Sequence, residues 1–113
     1  MHEFSLAIEV INLAQREAEN YKAEAIREIT IEVGDLSGVD ADAFESALEL
    51  LVKDSILENS LINVIRASGK GICNACDLEF DMNHRMATCP KCQCFPSKII
   101  GGEEFRLVSL VVE

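Results

Sequence analysis

Two cysteine pairs carry the most legible chemistry in the chain. Cys73-Asn74-Ala75-Cys76 and Cys89-Pro90-Lys91-Cys92 each separate two thiols by two residues, and twelve residues lie between the pairs. That spacing lets a tight turn aim both sulfurs at one ion while the turn's own N–H groups hydrogen-bond to the thiolates. Two such turns facing one another supply four soft ligands in a tetrahedron, as closed structural zinc sites require. A redox-active dithiol uses a single Cys-x-x-Cys at a helix start, and an iron–sulfur cluster also accepts four cysteines. The doubled motif in a turn-rich stretch favours zinc over both. The apolar residues around it, Ile72, Leu78, Phe80 and Met82 among them, are too few to hold roughly 35 residues together unaided. Metal binding would then supply folding energy. Cys94 reads as an idle thiol, because a filled tetrathiolate has no vacancy. His84, in the polar run Asn83-His84-Arg85, reads as a surface residue.

A second constellation stands at the start. A terminal amine, the next backbone amide and the imidazole of a histidine at position 2 form two fused chelate rings around one ion. The three nitrogens lie in a plane once the amide is deprotonated, which suits Ni(II) or Cu(II) and suits zinc poorly. Here those groups belong to Met1 and His2, with Glu3 beside them as a further oxygen donor. The fourth planar position stays open, so a partner's donor can enter and the ion can be passed on.

The elements that must position these groups follow from periodicity. Apolar residues recur with helical spacing from Phe4 to about Asn20 (Phe4, Ile8, Ile11 and Ala18, widened by Leu6, Val10 and Leu13). Ile29–Val33 alternates like a half-buried strand, and Gly34-Asp35-Leu36-Ser37-Gly38 breaks regular structure. Asp40 is placed to cap a second helix running to about Lys53, on which Phe44, Leu48, Leu51 and Val52 share a face. Leu61–Arg66 and Phe105–Val112 read as further strands. The expected fold is α+β: two helices packed on a small three-stranded sheet, with an inserted zinc-ribbon-like module. Residues 1–67 plus 103–113 form the body and 68–102 the insertion. Gly69, Gly71, Gly101 and Gly102 flank that insertion and would permit chain reversals at its base.

Bulk properties bound the function. Of 113 residues 49% are apolar, enough for a core, and all five cysteines fall between Cys73 and Cys94. Twenty acids against ten bases give a charge of -10, which argues against nucleic-acid binding. No apolar run approaches the roughly 18 residues of a membrane span. The opening Met1-His2-Glu3-Phe4 lacks a secretory pattern, so a cytoplasmic location is expected.

An opening Met-His-Glu before an amphipathic helix, then Gly-Asp-Leu-Ser-Gly-Val-Asp, then two Cys-x-x-Cys pairs and a β-rich end, resembles the HypA/HybF family of hydrogenase maturation factors. The resemblance covers essentially the whole chain. It implies a nickel metallochaperone for [NiFe]-hydrogenase assembly, not an enzyme. Met1 (through its amine), His2 and Glu3 would bind nickel, and Cys73, Cys76, Cys89 and Cys92 would hold zinc. Its implied partners are the nickel-handling GTPase HypB and the hydrogenase large subunit, and some members also serve urease. Histidines that follow the cysteine pairs in some relatives are replaced here by Asp77-Leu78 and Gln93-Cys94. Asp40 is a possible helper at the nickel end, although capping explains it as well. The competing assignment, which the charge disfavours, is a zinc-ribbon interaction module of a transcription or RNA assembly; a third is a thiol oxidoreductase.

Overall fold

A computed structural model describes residues 2–113. The chain runs α1 (His2–Asn20), β1 (Ile26–Gly34), α2 (Ala41–Leu51), β2 (Leu61–Ala67), β3 (Gly69–Ile72), β4 (Glu79–Met82), β5 (Lys98–Gly101) and β6 (Phe105–Val112). Two three-stranded sheets form, in the orders β2-β1-β6 and β4-β3-β5. The chain divides into two compact units. One runs to Ile31 and takes in Asp40–Ile65 and Arg106–Glu113; the other comprises Glu32–Val39 and Arg66–Phe105. No described helix is long and apolar enough to cross a membrane.

In the first unit α1 buries Ala7, Val10, Ala14 and Ala18, with the three alanines fully covered. This corrects the expected stripe: Phe4 and Ile8 stay 44% and 47% exposed. The alanines and Val10 take the packing role, Leu6, Ile11 and Leu13 are half-buried beside them, and Phe4 and Ile8 face out. Helix α1 also starts at His2 rather than Phe4, because hydrogen bonding and not apolar spacing sets a helix end. Its C-terminus closes with Ala23 N–H donating to the Ala18 carbonyl at 2.9 Å. Lys22, at φ 55°, takes the left-handed position that glycine usually fills there. Asp40 caps α2 as expected, its Oδ1 accepting Ala43 N–H at 3.1 Å, and Phe44, Ala47 and Leu48 are buried. Strand β1 is central in its sheet and in this unit buries Ile26, Ile29 and Ile31.

In the second unit β3 is central. It pairs antiparallel with β4 (Gly69↔Met82 to Ile72↔Glu79) and with β5 (Lys70↔Gly101, Ile72↔Lys98), with a bulge between Lys70 and Gly71. The glycines here serve mainly for space. Gly69 and Gly71 lie inside β3, and a Cβ on Gly71 would sit 2.6 Å from Met82 Sδ. Only Gly102 of the four has positive φ, at 95°, and a Cβ there would fall 2.3 Å from Gly69 Cα. The turn after β1, expected only as a break, reaches into the core: Leu36 is 2% exposed and clusters with Cys73, Phe80, Met82 and Cys89. Three hydrogen bonds seat it: Asp35 N–H to Ala67 O (2.9 Å), Leu36 N–H to Gly102 O (2.7 Å), and Arg85 Nη2 to Leu36 O (2.7 Å). Arg85 Nη2 also reaches Glu103 at 2.9 Å.

Candidate metal centre

Four sulfurs meet at one point of the second unit. The Sγ atoms of Cys73, Cys76, Cys89 and Cys92 all lie within 4.8 Å of one another, and Cys73 and Cys92 are 3.4 Å apart. A tetrahedron with metal–sulfur bonds of about 2.3 Å has edges of about 3.8 Å, so the observed separations fit a four-thiolate shell. Cys73 and Cys89, the first of each pair, are buried, while Cys76 and Cys92 are half-buried.

The two pairs are built alike. In one, Cys73 N–H donates to Leu78 O at 2.9 Å; in the other, Cys89 N–H donates to Cys94 O at 2.8 Å. The residue following each pair, Asp77 at φ 53° and Gln93 at φ 63°, adopts the left-handed conformation. That single reversal lets five residues fold back and present two sulfurs on one side. Leu78 and Cys94 therefore occupy equivalent places. Leu78 packs on the buried cluster, whereas Cys94 is exposed, outside the sulfur group, with Sγ turned toward Cys92 O at 3.9 Å. His84 is also outside the sulfur group: its Nδ1 accepts Met86 N–H at 3.1 Å within its own exposed loop.

Electrostatics shows what the cluster requires. The N–H groups of Cys92 and Lys91 lower the Cys89 thiol to about 7. Hydrogen bonding with Cys92, then burial and Cys73, push Cys76 up to about 12. Cys89 is thus prepared as an anion, while Cys76 beside it resists adding more negative charge. A cation at the centre removes that conflict, and four sulfurs suit a soft or borderline ion.

The first unit holds the other predicted residues. His2 is exposed and begins α1, and Met1 lies outside the described residues. Glu3 Oε2 accepts the backbone N–H of Asp40 at 3.2 Å, which holds its carboxyl below the usual 4.5. The end of α1 bearing His2 is therefore tied to the start of α2. Sequence reading missed this bond, as it missed Leu36, because 37 residues separate its partners.

Fold and site define a small α+β protein built around a four-cysteine metal centre. Residues 1–112 match the family described as "Hydrogenase/urease nickel incorporation, metallochaperone, hypA". The hydrogenase maturation factor HypA of Parabacteroides distasonis is 36% identical over 113 residues, covering 100% of this chain and 98% of that protein. The HypA of Francisella philomiragia is 35% identical, covering 98% of each. The solution structure of the nickel metallochaperone HypA from Helicobacter pylori superposes with a TM-score of 0.65 at 26% identity, covering 97% of this chain and 96% of that one. The chain belongs to the HypA family of nickel-incorporation metallochaperones.

Proposed function

We propose that this chain carries Ni(II) on its amino terminus and delivers it in the cytoplasm during [NiFe]-hydrogenase maturation, with a structural zinc ion in the second unit. The match of residues 1–112 to the nickel-incorporation family carries this reading. Nickel is the cargo. Its donors are the Met1 amine, the His2 amide nitrogen and the His2 imidazole, with Glu3 beside them. The place of His2 in the fold supports it: the first N–H groups of a helix have no intrahelical acceptor, so the His2 amide can lose its proton without breaking a helical bond. The positive end of the helix dipole also favours that loss. Glu3, bonded to Asp40 N–H, anchors the chelating residues beside α2.

Cys73, Cys76, Cys89 and Cys92 hold the zinc. When bound, that ion supplies charge compensation and a crosslink; the protein's residues shape the site and deliver no chemistry through it. The partners, the nickel-handling GTPase HypB and the hydrogenase large subunit, are met through protein surfaces rather than nucleic acid, as the charge of -10 also favours. Complementation tests the reading. In a hydrogenase-producing cell lacking its own HypA, the chain should restore nickel to the large subunit, and His2→Ala should not. Restoration by both, or by neither, would count against it.

A further inference from the structure

Strand β6 is an edge that nothing in its own sheet covers. The order β2-β1-β6 pairs one side of β6 with β1, and Glu113 continues on that side, exchanging hydrogen bonds with Glu24 and Ala25 (3.0 and 2.9 Å). The opposite row of N–H and C=O groups belongs to the sheet's outer side. Natural edges are blunted by lysine, proline or a bulge, yet residues 107–112 read Leu-Val-Ser-Leu-Val-Val, with neither charge nor proline. None of the six apolar residues of β6 is buried, and Val108 and Val111 are 48% and 43% exposed.

A groove of about 500 Å³ runs beside this strand. One wall is a single ridge of α1, formed by Leu13, Glu17 and Tyr21 at four-residue spacing; the other is Leu107–Leu110 with Val112. Side chains of consecutive strand residues point to opposite faces, so a groove touching 107 through 110 follows the strand's edge and not one face. Its shape matches an added strand, whose backbone would pair with β6 while alternate side chains enter the groove. Glu17 is the one charged lining residue. It is half-buried, and among the described residues no cation pairs with it.

We propose that this groove receives an extended, apolar segment of another protein, carrying a lysine or arginine that meets Glu17. The open backbone edge selects an extended chain, the walls select apolar side chains, and the unpaired carboxylate selects the cation. A second copy of this chain is the poorer occupant, since it would bring another Glu17 and another charge of -10 to the same contact.

Two capped heptapeptides alternating valine with lysine or valine with glutamate, titrated into the full-length chain in nickel-free buffer, test this. The lysine peptide should bind at least tenfold more tightly, and amides of residues 107–112 should gain hydrogen-exchange protection. Glu17→Lys should reverse the preference, and Glu17→Gln should abolish it; circular dichroism confirms that each variant is folded. No binding at millimolar peptide, equal binding of both peptides, protection confined to other strands, or a dimer through β6 that the lysine peptide does not dissociate would each overturn the proposal. Because nickel is absent, such a failure leaves the nickel-carrier reading untouched.

Discussion

At the residue scale the cysteines differ sharply although their sequence motifs look alike. Cys94 lies two residues beyond a ligand, yet its exposed Sγ is outside the sulfur group. Cys94→Ser should therefore keep one zinc per chain, measured by metal analysis, whereas Cys89→Ser should lose it; zinc loss in Cys94→Ser would mean the fourth ligand is misassigned. Glu3 provides a pH test. Its carboxyl is held below 4.5 chiefly by the Asp40 N–H, so the contact is intact above the ordinary carboxylate range and is lost as pH falls through the depressed value. In an acid titration followed by NMR, the Asp40 amide should shift with a midpoint below 4.5. A midpoint at or above that value would show the bond to be absent in solution. The grouping of the four cysteines was legible in the sequence, because Cys-x-x-Cys spacing is a local property. The opposite shifts of Cys76 and Cys89 were not, since they depend on which groups face which sulfur.

At the element scale, local patterns located both helices and the three strands of the first sheet. What they could not show was long-range. Strands β3, β4 and β5 span only four residues each, too few for periodicity to mark them, even though Glu79-Phe80-Asp81-Met82 alternates. The large apolar residues of α1 suggested its buried face, but close packing against α2 chose the alanines. Leu36 sat in an apparent loop and belongs to the core of the cysteine-bearing unit. Leu36→Ala should accordingly destabilise that unit by about 2–5 kcal/mol in chemical denaturation; a loss below about 0.5 kcal/mol would show that Leu36 is not packed there. Asp77 and Gln93 hold left-handed conformations at a cost of roughly 1 kcal/mol each in non-glycine residues. Gln93→Gly should raise the melting temperature of the zinc-loaded protein by a few degrees, and a lower one would show that the side chain is needed.

At the scale of the whole molecule, the two units depend on different forces. The first has two helices and a sheet around buried Ile29, Ile31, Phe44 and Leu48. The second has a buried cluster of five residues, two of them cysteines, and metal binding of the order of 10–16 kcal/mol can dominate such a balance. A strong chelator should therefore erase the β3–β4 and β3–β5 cross-strand NMR contacts while the helical circular dichroism persists. Retention of those contacts without metal would show a self-sufficient fold. The central claim, that the amino terminus carries nickel, is tested most directly by calorimetric nickel titration of the zinc-loaded chain with its native Met1, beside His2→Ala and a form bearing one added residue before Met1. The native chain should bind one nickel tightly, with affinity rising with pH because protons compete with the metal for the donor nitrogens. Both altered forms should lose tight binding while keeping zinc and helix content; equal nickel affinity in all three would contradict the assignment.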